Sequence, residues 1–463
     1  MRRERDSLGE RELPDDAYYG IQTLRAIENF TVSGRRERPE LVKAFAMVKK
    51  AAVQANMQLG ALDRERGMAI MQAADEILSG LLADQFPVDL FQAGAGTSFN
   101  MNMNEVLANR ALEILGKGRG RYDHLSPNDH VNRSQSSNDT FPTASHIAII
   151  WEADRLEAVL TDLAGAFKLK GREFSSLPKI GRTHLMDALP VILGDEFLAY
   201  GTAVIRAAER IRQRRTELVE VAIGGTATGT GANAPLQYRE TMIGILSGLT
   251  GLPLVRARDS MESLQSRSQM AAFSGSLREL AGELIRIGND LRLMGSGPTG
   301  GLGEIVLPPV QPGSSIMPGK VNPVMAECLE MVCFQVIGND TAVGLAAQAG
   351  QLDLNVMGPV MTADILDSLA FLNNFLPVFQ ARCIGGIQAN EEHVRSLAGK
   401  TPGLVTLLSP KIGYLRAAEL ADEALAAGKP IRDLVVEKGL LSDSEADKLF
   451  DLETVARNRY RQG

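Results

Sequence analysis

A mainly α-helical fold is predicted by three features of the 463-residue sequence. Aromatic side chains make up only 5% of the chain, with a single Trp, while Ala, Leu, Gly and Met are plentiful. That mix favours helices packed closely on one another over sandwiches or barrels. Apolar residues recur at spacings of three and four over long stretches, the period of a helix with one buried face. No stretch shows the sustained alternation of a half-buried strand.

Taken in order, Leu156, Leu160, Leu163 and Phe167 form the first such face. Phe197, Tyr200, Val204, Ala208 and Ile211 repeat the rhythm, and Leu277, Leu280, Leu284, Ile287, Leu291 and Met294 extend it over about five turns. Residues 324–347 are apolar on more than one side, as in a helix buried among others. Five segments interrupt these helices: GAGTSFNMNMN (94–104), SPNDHVNRSQSSNDT (126–140), GRTHLMD (181–187), GGTATGTGANA (224–234) and GSGPTGGLGEIVLPPVQPGSSIMPGKVNP (295–323). Turn geometry alone would explain any one of them. Five polar loops on a rigid helical frame are a place for chemistry. The pattern divides the chain into a mixed, mostly helical N-terminal domain (1–138), a central long-helix domain (139–390) and a small helical C-terminal domain (391–463).

Composition excludes several classes of function. A net charge of -7 argues against a nucleic-acid binder, which needs a basic face. No apolar run is long enough to cross a bilayer, and the paired Arg2-Arg3 has no apolar stretch behind it to make a signal peptide. Cys328, Cys333 and Cys383 are odd in number and sit in helix-like apolar surroundings, which fits a reducing cytoplasm and no disulfide framework. The five histidines and three cysteines lack the spacings that zinc needs, and no dinucleotide fingerprint follows a strand. Neither metal nor cofactor is expected.

The most informative stretch is Gly313-Ser314-Ser315-Ile316-Met317-Pro318-Gly319-Lys320-Val321-Asn322-Pro323. Five residues rather than four separate Gly313 from Gly319, and Val321 stands where a nucleotide-binding loop needs Ser or Thr, so this is not a P-loop. Asn322-Pro323 reads as a helix start, with Asn as N-cap and Pro at the first helical position. A helix N-terminus with Lys320 beside it suits a carboxylate.

This loop resembles the signature loop of the aspartase/fumarase superfamily. The stretches Ala93–Asn109, Ser126–Thr143, Gly181–Phe197 and Gly224–Asn233 resemble the family's other active-site regions, in the family's order. The similarity runs from about Leu8 to Leu452. It implies an aspartase/fumarase-type fold with a central long-helix bundle, a 20-helix core in a homotetramer, and active sites shared between three subunits. It implies elimination across a succinyl Cα–Cβ bond of a small dicarboxylate, giving fumarate. By the same resemblance Ser314 is the base that removes the Cβ proton, with Ser315 beside it. Lys320, Asn322 and Thr183 hold the α-carboxylate, and Thr97, Ser136 and Ser137 the β-carboxylate. Asn138 and His184 stand near the leaving group, Glu327 pairs with the histidine, and Met317 and Leu354 line the pocket.

The chemistry is consistent with those roles. A proton beside a carboxylate is weakly acidic, so the developing dianion needs donors aimed at it, which hydroxyls and loop N–H groups supply. Serine becomes a base only where its alkoxide is stabilised. A Gly-rich loop can close over the site and exclude water. For Ser136 and Ser137 a helix-capping role competes, and the two are compatible; for His184 alone, a structural histidine is the simpler reading. Ala17-Tyr18-Tyr19-Gly20, Thr23 to Phe30, Ser126, and Ala346 to Met357 resemble the aspartase branch, in which ammonia leaves. The paired Ser136-Ser137 resembles the fumarase branch, in which water leaves. Thr299 and Gly358 depart from both and keep open a related aspartate derivative as substrate.

Overall fold

The computed structural model describes residues 1–457. It is mainly helical, as the sequence predicts. The long helices are α1 (Pro39–Gln58), α2 (Thr97–Ile114), α3 (Ser137–Glu173), α4 (Leu193–Glu217), α5 (Ser268–Met294), α6 (Val324–Gln348) and α7 (Gly358–Arg382). Among the described residues the sheet is confined to four two-stranded pairs. The one that matters for the site is an antiparallel hairpin, β1 (Pro178–Thr183) and β2 (Met186–Ile192).

The apolar faces read from the sequence are buried as expected. Leu156, Leu160, Leu163 and Phe167 are fully buried on α3; Phe197 and Val204 on α4; Leu280, Leu284, Ile287 and Leu291 on α5. Each such side chain contributes about 1.5–3 kcal/mol on leaving water. Truncating one, as in Leu160→Ala, costs about 2–5 kcal/mol because the packed surroundings cannot collapse into the hole. Helix α6 departs in part from expectation. It buries Ala326, Leu329, Cys333, Val336 and Val343 but leaves Met331, Phe334 and Leu345 between 56% and 65% exposed. One side of its apolar surface is covered within a single chain and the other is not.

The chain forms two compact units. The first comprises Met1–Glu157, Glu209–Ala281 and Phe334–Asn373, and the second Ala158–Ala208, Gly282–Cys333 and the chain from Asn374 on. In the first, α1 packs against the helices Arg64–Leu78 and Tyr238–Thr250. Phe45 of α1 meets Phe99 edge-on at 5.2 Å and Phe141 at 5.9 Å, geometries that suit aromatic quadrupoles. The second unit includes a separate apolar cluster, among it Leu404, Leu420, Ile431, Val435 and Phe450, that gathers the short C-terminal helices. The three thiols are free, and burial pushes those of Cys333 and Cys383 up to about 12.

Candidate active site

In the first unit, Gly96 and Thr97 open α2. Gly96 has φ +66°, and a Cβ there would lie 1.9 Å from the Phe141 ring, so only glycine brings the chain this close. Thr97 Oγ1 lies 3.0 Å from Ser137 Oγ and also donates to Gly94 O at 3.0 Å. Ser136 caps α3: its Oγ accepts from Asn138 N at 3.2 Å, while Asp139 Oδ1 accepts from Ser136 N at 3.0 Å. Ser136 makes the cap bond through its oxygen, which leaves its proton free to donate, and Ser137 faces Thr97. Asn138 Nδ2 donates to Ala227 O at 2.7 Å. Pro142 lies within α3 and has no N–H, so the Asn138 carbonyl lacks its helical donor. Leu354 is half-buried, two residues before Val356, whose carbonyl accepts from Ala95 N at 2.8 Å.

Beneath these hydroxyls is a polar cage that the sequence reading missed. Lys49, fully buried, donates to Asn100 Oδ1 at 2.7 Å, Asn132 Oδ1 at 3.0 Å and Gln135 Oε1 at 3.0 Å. Burial pushes its ammonium below the usual lysine range, opposed by the Asp139 charge. Burial likewise pushes Asp139 up, opposed by the N–H groups of Ser136, Thr226 and Gly224 and by Lys49. A lysine inside the apolar face of α1 was the available signal, because an unpaired lysine is seldom fully buried.

In the second unit, His184 and Leu185 form the two-residue tip of the hairpin, with φ +56° and +60°. Both lie in the left-handed region that a primed turn requires, and neither is glycine. Thr183 and His184 are exposed. The hairpin is fixed by Glu304, fully buried, whose Oε1 accepts from Arg182 Nη1 at 2.7 Å. Lys179 Nζ stands 3.2 Å from Glu304 Oε2, an ion pair not aligned as a hydrogen bond, and 3.1 Å from Glu196 Oε1.

The signature loop is pinched at its base. Gly313 N donates to Lys320 O at 2.8 Å, and Asn322 Nδ2 donates to Gly313 O at 2.6 Å. Asn322 thus closes the loop rather than capping a helix. Helix α6 begins at Val324, and the Pro323 carbonyl accepts from Glu327 N at 3.1 Å, so the cap falls one residue later than expected. Ser314 Oγ accepts from Ile316 N at 3.2 Å and Met317 N at 3.0 Å. Two amide dipoles aimed at one hydroxyl oxygen favour negative charge on it. Ser315, Met317 and Lys320 are exposed on the same loop, and Glu327 is half-buried in the first turn of α6. Among the described residues no bond joins Glu327 to His184.

The site residues thus form two groups, each held within its own unit: Thr97, Ser136, Ser137, Asn138 and Leu354 in the first, and Thr183, His184, Ser314, Ser315, Met317, Lys320, Asn322 and Glu327 in the second. Among the described residues no cluster of three or more His, Cys, Asp or Glu has the arrangement of a metal site, and no helix is long and apolar enough to cross a membrane.

A family model described as Lyase matches residues 9–338, and one described as Fumarase C C-terminus matches residues 404–457. The chain belongs to this lyase family, the aspartase/fumarase superfamily, as its motifs imply. Its similarity extends to individual enzymes. It is 49% identical to the aspartate ammonia-lyase of Bacillus subtilis (strain 168) over 448 residues, 97% of this chain and 94% of the relative. It is 44% identical to that of Escherichia coli (strain K12) over 464 residues, 100% and 97% of the two chains. Among solved structures, recombinant class II fumarase from Schistosoma mansoni matches with a TM-score of 0.95 at 37% identity, covering 98% of this chain and 99% of its own.

Proposed function

We propose that this chain is a cofactor-independent aspartate ammonia-lyase, catalysing the reversible anti elimination of ammonia from L-aspartate to give fumarate. Full-length relatives that bear that name support the substrate and reaction. The observation that carries the mechanism is the pair of N–H groups at Ser314 Oγ, which makes an alkoxide base tenable on an uncharged side chain.

Ser314 removes the Cβ proton, and the resulting dianion is held by Thr97, Ser136 and Ser137. Lys320, Asn322 and Thr183 bind the α-carboxylate. Asn138 and His184 attend the leaving amine, with the freed Asn138 carbonyl a further acceptor for its ammonium. Glu327 supports the histidine, and Ser315, Met317 and Leu354 shape the pocket. The reading includes a homotetramer whose sites draw on three chains, and cytoplasmic residence. The exposed apolar face of α6 supports the assembly, since a monomer seldom leaves three large apolar side chains in water on one helix. The boundaries near residues 138 and 390 belong to the same reading, and the separate match at 404–457 is in keeping with the second.

Ser136-Ser137 and the fumarase fold match favour a second reading, hydration of fumarate to L-malate. Thr299 and Gly358 favour a third, a related aspartate derivative. Purified protein given L-aspartate should release fumarate, seen in its ultraviolet absorbance, and stoichiometric ammonia. Fumarate from L-malate with none from L-aspartate would establish water as the leaving group, and silence with both would reject the two simpler readings.

A further inference from the structure

The loop Gly224-Gly225-Thr226-Ala227 has no part in the chemistry described above, yet it is tied to the hydroxyl-bearing turn by one carboxylate. Asp139 is fully buried. Its Oδ1 accepts from Ser136 N at 3.0 Å, and its Oδ2 accepts from Gly224 N at 3.1 Å and Thr226 N at 2.8 Å. The Asn138 side chain returns the connection through Ala227 O. One carboxylate therefore joins the start of α3 to a loop more than eighty positions away.

A second, independent sign is strain. Thr226 has φ +55°, a region that β-branched residues avoid. It is 5% exposed, and its hydroxyl has no hydrogen-bond partner. A backbone held there against its preference and with an orphaned hydroxyl is over-determined by its surroundings, a condition that gathers around functional sites. The Asp139 bond to Thr226 N is the most direct restraint. The three N–H groups on Asp139, and more weakly the Lys49 charge beneath the same turn through Asn132 and Gln135, oppose the burial that pushes this carboxyl up.

We propose that Asp139 is a positioning residue: it clamps the Ser136 turn to the Gly224–Thr226 loop and thereby fixes the aim of the hydroxyls of Ser136 and Ser137 at the substrate β-carboxylate. It touches no reacting atom. Its effect is on the geometry of donors that matter most when the dianion forms, so its removal acts on kcat more than on KM. Asp139→Asn keeps the shape but turns one acceptor into an amide donor that faces N–H groups.

This rests on the lyase reading, and the test separates the two. Fumarate formation is followed for the unmodified protein and for Asp139→Asn, with thermal unfolding and size recorded for each. The expected result is an intact fold, kcat lower by about 100-fold and KM within about threefold of the unmodified value. A kcat within about threefold of unmodified, or a loss explained wholly by unfolded protein, overturns the proposal. If Asp139→Asn does not fold, Asp139→Glu keeps the charge but displaces the turn by a methylene. It should fold and still lose at least about tenfold in kcat, and failure of both variants to fold would assign Asp139 to folding alone. An unmodified protein inert towards L-aspartate and L-malate sinks the lyase reading and the clamp with it.

Discussion

Thr97 Oγ1 and Ser137 Oγ lie 3.0 Å apart across forty positions of sequence. Thr97 is the first residue of α2 and Ser137 the first of α3, so two helix N-termini bring their hydroxyls to one point. With the Thr97 proton on Gly94 O, the one Ser137 proton is shared between Thr97 Oγ1 at 3.0 Å and Asn138 Oδ1 at 3.5 Å. A carboxylate arriving there would draw both protons to itself.

Replacing Thr97 or Ser137 with Ala should each lower kcat by about 100- to 1,000-fold, the usual effect of deleting one donor to a developing oxyanion. Because the two hydroxyls act as a unit, the double variant should be little worse than either single one. Steady-state rates of the three variants test this. Multiplicative losses would show that the pair does not share one carboxylate.

Ser314→Ala should abolish most turnover while leaving the thermal transition within a few degrees of the unmodified protein. The side chain is only half-buried, and its Oγ bonds are to two amides of its own loop. Substitution of such a surface-loop residue shifts stability by about 0.5 kcal/mol or less. Near-normal turnover would remove Ser314 from the role of base.

The long helices were legible in the sequence because burial imposes a period: Leu156, Leu160, Leu163 and Phe167 are buried where that period places them. The signature loop was legible by its residue types, but Asn322 was given the wrong bond. Its amide competes equally well for a helix N–H or a carbonyl across the loop, and residue order alone does not choose between them. Asp139 and Thr226, and the partners of Lys49, were invisible for a related reason. Their roles come from contacts such as that of Lys49 with Gln135, 86 positions apart, which no local pattern encodes. The primed turn at His184 and Leu185 was hidden as well, because neither residue is the Gly or Asn that usually announces one.

Half-buried Arg182 and buried Glu304 pair to hold the hairpin that carries His184. Removing Arg182 leaves the enclosed Glu304 carboxylate with only the misaligned ammonium of Lys179. Arg182→Met should therefore destabilise the protein by about 3–5 kcal/mol, as breaking one side of a buried pair does. The double variant Arg182→Met/Glu304→Leu should recover part of that loss, since it leaves no uncompensated charge from this pair. Denaturant midpoints of the single and double variants decide it; a harmless Arg182→Met would show that Lys179 alone satisfies Glu304.

Glu37 gives a prediction whose sign depends on pH. It is buried, and burial, with the neighbouring charges of Asp367 and Asp89, pushes its carboxyl up to about 8, against a smaller opposing pull from Arg35. Gln92 Nε2 donates to its Oε1 at 3.0 Å. Folding raises this pKa above its ordinary value of 4.5, so between the two values the folded state holds a proton that the unfolded chain has lost. The stabilisation is therefore fully present below the unfolded value and is lost as pH rises through about 8. Glu37→Gln keeps the shape and the acceptor for Gln92 but carries no titrating proton. The variant should match the unmodified protein most closely in mild acid near the unfolded pKa, whereas from there up to about pH 8 its stability relative to the unmodified protein should rise steadily, by an amount on the order of a few kcal/mol, because only the unmodified protein loses stability. Above about pH 8, where the unmodified protein must hold a charged Glu37 beside Asp367 and Asp89, that difference should level off. Thermal midpoints of both proteins across that range provide the check, and a difference that stays constant with pH would mean that Glu37 carries no proton in the folded state.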